Sequence, residues 1–274
     1  MDHPNYTVGG IPKIIHQTWK NNDIPDKWKQ SHQEWQRLHP DWIYKLWTDD
    51  DIRTHITTHH PNLVDLHDSY PYAIQRADMI RYIVLYDYGG IYSDLDLYPT
   101  VNIESYLNLD SDYFVYSANS NCFTNALMVS RKYSSIWVDV IKELHKPKSW
   151  WAIGKHLHVM TTTGPLLLHR VLKMTTHTYS VLPQPFFNPY SVADDLSQLK
   201  DGACIRTLEG SSWHSWDSAL YNSVFRHKTL FMIIGIIFLF LLLFGSIYLL
   251  CRLLYMKKYA KKLLEECGDR CLAL

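Results

Sequence analysis

Tyr88-Gly89-Gly90-Ile91-Tyr92-Ser93-Asp94-Leu95-Asp96 is the stretch on which the fold turns. A glycine pair stops whatever precedes it, an apolar triplet follows, and two acids one residue apart close the run. Pro71 to Asp87, just upstream, is the strongest helical pattern in the chain. Pro71 sits near its start, Ala73, Ala77, Ile80 and Val84 fall on one stripe, and Gly89-Gly90 ends it. Ile91-Tyr92-Ser93 reads as a strand running straight into Asp94-Leu95-Asp96. In an extended strand residues i and i+2 point to one side, so the two carboxylates are expected side by side.

Working outward, the same alternation continues in both directions. Lys13 to Gln17 predicts a first strand, Asp26 to Leu38 a helix with Trp28 and Trp35 on one face, and Ile43 to Trp47 a second strand. Thr48-Asp49-Asp50-Asp51 opens another helix with a cap and first-turn acids. Downstream, strands are expected at Tyr113–Ser117 and Ala126–Ser130, and helices at Ser134–His145 and Leu166–Thr175. Strands alternating with helices predict an α/β domain.

The 274 residues carry 27 Lys+Arg against 27 Asp+Glu, and 47% are hydrophobic. That composition excludes a disordered chain, and the balanced charge excludes a nucleic-acid binder driven by phosphate contacts. Five Cys without short paired spacings make neither a zinc cluster nor a disulfide scaffold.

Leu230 to Leu250 is an uncharged apolar run, LFMIIGIIFLFLLLFGSIYLL. At about 1.5 Å per residue it spans roughly 31 Å, the thickness of a bilayer's hydrocarbon core. The expected organisation is a domain over residues 1–228, a transmembrane helix over 229–251 and a basic tail over 252–274. Arg252, Lys257, Lys258, Lys261, Lys262 and Arg270 outweigh Glu265, Glu266 and Asp269 beyond the run. The positive-inside rule puts that tail in the cytosol and the domain in a lumen. The sequon Asn5-Tyr6-Thr7 agrees, whereas Met1 to Gly10 has no apolar h-region to direct export. Cys271-Leu272-Ala273-Leu274 has the C-a-a-X form, but beside a transmembrane helix a free tail cysteine is the expectation.

Paired carboxylates suit a hard divalent cation that leaves coordination positions for phosphate oxygens. Asp-x-Asp also occurs at Asp49–Asp51 and Asp110–Asp112, which are expected to be solvated pairs. Only Asp94–Asp96 follows an inner strand, where α/β folds place ligands. Asp78 and Arg81 share a helix face. Taken alone they read as a surface ion pair. Beside Asp94–Asp96 they become a carboxylate and a guanidinium able to grip sugar hydroxyls. A haloacid-dehalogenase phosphatase also begins Asp-x-Asp after a strand but needs Thr or Val where Tyr98 stands.

Five runs in order carry a family resemblance: Ile11–Trp19, Pro40-Asp41-Trp42 with Leu46–Asp49, Gln75–Tyr82, Tyr88–Asp96 and Gly210–His214. Over roughly residues 11–217 the chain resembles the glycosyltransferases with a DXD sugar-binding motif, family GT32. Within that family it is similar to the mannosyl phosphorylinositol ceramide synthase branch. Och1-type transferases acting on glycans share the framework, and a catalytically silent membrane lectin or partner subunit is the alternative of another class. The resemblance implies a GT-A-like domain with a Rossmann-like sheet and retaining transfer of mannose from GDP-mannose to inositol phosphorylceramide or a similar glycolipid headgroup. It implies Mn²⁺ or Mg²⁺ as cofactor, held by Asp94, Asp96 and His214. Asp78 and Arg81 would orient the donor sugar and Asp94 would reach its hydroxyls. Trp19 would stack on the base, and Trp213 with His214 would close over the diphosphate. A single-pass protein of the Golgi or another endomembrane, with a regulatory membrane subunit, is the implied setting.

Overall fold

The computed structural model describes residues 7–117, 122–145, 154–184, 187, 203–208, 210 and 216–271. Asn5 of the sequon, Trp213, His214 and residues 272–274 lie outside them. The chain divides into two compact units, Met1–Asn222 and Ser223–Leu274.

In chain order the elements are β1 (Thr7–Val8), β2 (Ile11–Pro12), β3 (Ile14–Thr18), α1 (Asp26–Leu38), β4 (Ile43–Trp47) and α2 (Asp49–His59). Next come α3 (Val64–Ser69), α4 (Ala73–Tyr88), β5 (Gly90–Ser93), β6 (Leu97–Pro99), β7 (Tyr113–Tyr116) and β8 (Phe123–Ser130). Then follow α5 (Ser135–Leu144), α6 (Gly154–Thr162), α7 (Pro165–Met174), β9 (Ser180–Val181), β10 (Ile205–Thr207), α8 (Trp216–Arg226) and α9 (Lys228–Cys271). α1 and β4 fall where the sequence predicts them. The expected α/β architecture is present, with a six-stranded sheet in the order β4-β3-β5-β8-β7-β9. β4, β3 and β5 run parallel, while β8 lies antiparallel to both β5 and β7, so the sheet is mixed.

Alternate residues of each central strand feed opposite cores. Tyr92, Phe114 and Met128 pack with α4, α5 and α7, and Tyr82 stacks on Trp137 there. Ile91, Val115, Leu127 and Val129 face the other way, towards Trp35 of α1 and Trp42. Both faces are covered, which is why these strands read as unbroken apolar runs.

α4 departs from the single-stripe expectation. Asp78 through Leu85 are all buried, whereas Ala73, expected on the core stripe, is exposed. The helix is enclosed on almost its whole circumference, so periodicity could not mark its inner face. Its end is fixed by Gly89 (φ 67°) and Gly90 (φ 93°), both in the left-handed region. Buried His16 holds this turn. Its Nε2–H donates to the Gly89 carbonyl at 2.9 Å, and its Nδ1 accepts from Trp47 Nε1–H at 3.1 Å. Burial lowers its pKa to about 4, in keeping with a neutral ring donating on one side and accepting on the other.

In the second unit, α9 carries Thr229–Lys258, 30 residues of mean hydropathy 2.9 with no buried face. That is long and apolar enough to cross a membrane. The helix continues to Cys271, well past the apolar run.

A Cβ at Gly90 would stand 2.3 Å from the Ile14 carbonyl oxygen and would also have to adopt the positive φ. Gly90→Ala is therefore expected to destabilise the first unit by about 2–4 kcal/mol, strain and overlap together. Thermal melting of the full chain in detergent, followed by tryptophan fluorescence, checks this; an unchanged midpoint would contradict it.

Candidate functional site

The Asp94–Asp96 segment is not extended. It forms a tight turn between β5 and β6, closed by Leu97 N–H donating to Asp94 O at 3.1 Å. The strand expectation is corrected here, and the reason is visible in the pairing. Asp94 N–H makes a last bond to Ala126 O at 2.8 Å, after which the chain bends away to pair with β10. The turn is pinned from three sides. Leu97 O accepts from Ser31 Oγ at 2.6 Å and from Trp35 Nε1 at 3.0 Å, both on α1. Asp96 O accepts from Leu208 N–H at 2.7 Å. Leu95 is buried with Ile24 and Trp28, and Trp19 packs on that cluster.

Four of the expected site residues converge. Arg81 pairs with Asp78 at 2.9 Å and with Asp94 at 3.2 Å, so one guanidinium bridges α4 to the turn. Asp78 and Arg81 are not a surface pair: their side chains are 5% and 4% exposed. Asp78 also accepts from Asn125 Nδ2 and from Thr163 Oγ1, each at 3.0 Å. Burial raises its pKa to about 6 against the lowering effect of Arg81. Asp94 accepts from Tyr92 O–H at 2.9 Å, and Thr18 Oγ1 in turn lies 2.9 Å from that hydroxyl. Burial raises the Asp94 pKa as well, opposed by Arg81.

Asp96 differs from its neighbours. Among the described residues no lysine or arginine lies within ion-pair distance of it, and Arg81 is already shared between the other two acids. Burial, and then the Asp94 charge, push its carboxyl up to about 7. Three carboxylates against one buried guanidinium leave negative charge uncompensated at the turn. The donor set is all oxygen. Both features fit a hard divalent cation such as Mn²⁺ or Mg²⁺. Gly210 borders the same carboxylate, since a Cβ there would stand 2.1 Å from Asp96 Oδ2.

Trp19 lies near the turn but is not placed with the acids; its indole packs edge-on against Trp28 with centroids 5.1 Å apart. Trp213 and His214 lie outside the described residues. The other two Asp-x-Asp pairs have structural work. Asp51 completes the capping box of α2. Asp112 is fully buried, accepting from Ser130 Oγ at 2.9 Å and Ser134 Oγ at 2.6 Å, so it is not the solvated residue expected. Sequence reading missed Thr18, Tyr92, Asn125 and Thr163. Tyr92 alone carried a signal, being two residues before Asp94 on the same strand edge. The others come from distant elements.

Residues 25–122 match the family described as a glycosyltransferase sugar-binding region containing DXD motif. Over 239 residues it is 34% identical to inositol phosphoceramide mannosyltransferase 3 of Schizosaccharomyces pombe, spanning 85% of this chain and 64% of that protein. It is 35% identical over 243 residues to mannosyl phosphorylinositol ceramide synthase CSH1 of Saccharomyces cerevisiae, spanning 86% and 61%. The chain thus spans less than two thirds of either relative. Among solved structures, the PaToxG glycosyltransferase aligns over 59% of this chain and 69% of its own, with TM-score 0.43 and 19% identity.

A raised carboxyl pKa makes the folded state hold its proton more tightly than the unfolded chain does. The stability this group contributes is present below about pH 4 and is lost as pH rises through about 7. Asp96→Asn is therefore expected to stabilise the metal-free chain at pH 7.5 by roughly 1–3 kcal/mol, a gain that closes towards pH 4. Chemical denaturation of both proteins in chelator across that range decides it; parallel pH profiles would refute the uncompensated charge.

Proposed function

We propose that the chain is a membrane-anchored, metal-dependent retaining glycosyltransferase that moves mannose from GDP-mannose to inositol phosphorylceramide or a closely similar glycolipid headgroup. The observation that carries the reading is the Asp94–Asp96 turn, where the guanidinium shared between Asp78 and Asp94 leaves Asp96 with no ion-pair partner among the described residues. The named relatives, mannosyltransferases of inositol phosphoceramide, support the sugar and the acceptor.

In this reading Asp94 and Asp96, with His214, would hold Mn²⁺ or Mg²⁺, whose charge would offset that of the donor diphosphate. The remaining work is done by the chain. Arg81 and Tyr92 both engage Asp94 Oδ1, which fixes the carboxylate's orientation and leaves Oδ2 to the ligand side. Asp78 and Arg81 set the sugar subsite, with Asn125 and Thr163 holding Asp78 in place. Trp19 offers a face to the base, and Trp213 closes over the diphosphate. Such fixed charges, aimed at a developing oxocarbenium and its leaving group, are the principal source of rate in this chemistry. α9 anchors the protein, with the basic tail cytosolic and residues 1–228 in the lumen of the Golgi or a related endomembrane.

Asp96→Asn should lower the transfer rate at least ~100-fold, the scale for losing one electrostatic contact to a transition state, while the fold survives. The assay is transfer from GDP-mannose to inositol phosphorylceramide in detergent micelles with Mn²⁺, against a panel of other sugar nucleotides. Wild-type turnover in the variant would sink the metal assignment, and preference for another donor would sink the sugar assignment.

For topology, trypsin added to sealed vesicles should cut the tail at Lys257–Lys262 and leave residues 1–228 intact until detergent is added. Digestion of the domain with protection of the tail would reverse the orientation.

A further inference from the structure

Three ligand-type side chains converge where α2 ends against the last turn of α4. His55 lies in the final turns of α2, His60 caps that helix, and Asp87 is the penultimate residue of α4. Nε2–H of each ring donates to the same oxygen, Asp87 Oδ2, at 2.7 Å. The three ligand atoms lie within 4.8 Å of one another, and the side chains of His55, His60 and Asp87 are 6%, 17% and 16% exposed.

Several features separate this cluster from an ordinary hydrogen-bonded histidine. Both rings aim at a single oxygen, so two donors and one acceptor converge on one small volume. Ligands on a tetrahedral ion, with bonds of about 2.0–2.1 Å, stand about 3.3 Å apart. Widening each 2.7 Å contact by about half an ångström, with a small turn of each ring and its proton moved from Nε2 to Nδ1, would bring two bare nitrogens and the carboxylate oxygen to that spacing. Two imidazoles with one carboxylate suit zinc, unlike the oxygen-only set at Asp94 and Asp96. The exposed His59, its centroid 4.7 Å from that of His55, stands beside the cluster as a fourth imidazole-type or water-bridged position. There is also a way in: His60 lines an open cleft with Asn62, Tyr86, Val138 and His145. Trp47 packs edge-on to His55 at 5.1 Å and orients it, and the same indole donates to His16, the residue that grips the Gly89 turn.

We propose that His55, His60 and Asp87 form a zinc site, sharing no residue with the Asp94–Asp96 turn, whose ion fastens α2 to the end of α4. The site is a structural clip on the helix that leads into the glycine turn, and it leaves one coordination position for water or His59.

The test uses the full chain in detergent with millimolar Mg²⁺ present, to occupy the oxygen-only acids. Zn²⁺ titration by calorimetry should give one ion per chain and a raised melting midpoint. His60→Gln should weaken that binding at least ~10-fold and abolish the thermal shift, while Asp96→Asn keeps both. Co²⁺ added to the wild-type protein should show the intense visible bands of a four-coordinate, nitrogen-ligated ion, a readout that needs no variant to fold. Zinc binding equal in wild type and His60→Gln, loss of binding in Asp96→Asn alone, or weak octahedral Co²⁺ bands would each overturn the proposal and leave a hydrogen-bonded His–Asp–His cluster.

Discussion

Arg81 lies 4% exposed between Asp78 at 2.9 Å and Asp94 at 3.2 Å, and a cation so far from water has to be satisfied on every side. The requirement is met in full: Arg81 Nη1 also donates to Asn125 O at 2.8 Å, and its guanidinium lies 4.7 Å over the Tyr92 ring. Losing one partner of such a buried pair costs on the order of 3–5 kcal/mol, so the network ties together the elements that supply it. α4 gives Asp78 and Arg81, β5 gives Tyr92, β8 gives Asn125, and the α6–α7 junction gives Thr163. The candidate site is thus the place where those elements are locked, rather than a decoration upon them.

The glycine turn follows from that lock. For Arg81 to reach Asp94, the chain must leave α4 and reverse within two residues into β5, beside β3. Only residues without a Cβ can do so, with Pro12 and Ile14 as close as they are. Asp96, one step beyond the shared guanidinium, receives none of its compensation. The same geometry that satisfies Asp94 leaves its neighbour in want of a cation.

Sequence legibility followed how locally each feature is determined. Asp26–Leu38 was readable to the residue because Trp28 and Trp35 repeat on one face and both are buried. The acids of Asp94–Asp96 were readable as a motif, but their turn was not, since it is imposed by pairing with residues 205–207 far along the chain. β6 and β10 are three residues long and carry no period to detect. Buried on nearly all sides, α4 hid its inner face. His55, His60 and Asp87 gave no spacing signal, because their convergence is made by the docking of α2 on α4.

The pairing of β10 with β6 also sets an order of events. Ile205–Thr207 joins Leu97–Pro99 only after more than a hundred intervening residues have been made, while β3, α4, β5 and β8 are all available earlier. Contacts this distant along the chain are slow to close, and domains fold as their residues emerge from synthesis. The sheet and the Arg81 lock can therefore assemble on the nascent chain with the Asp96 side of the turn still open. Gly210 reaches that carboxylate at the very end, just as the apolar helix beginning at Lys228 is being made. Completion of the turn and synthesis of the apolar helix become neighbouring steps in biogenesis. A chain stalled before residue 205 would hold Asp96 with neither β10 nor Gly210 yet in place beside it.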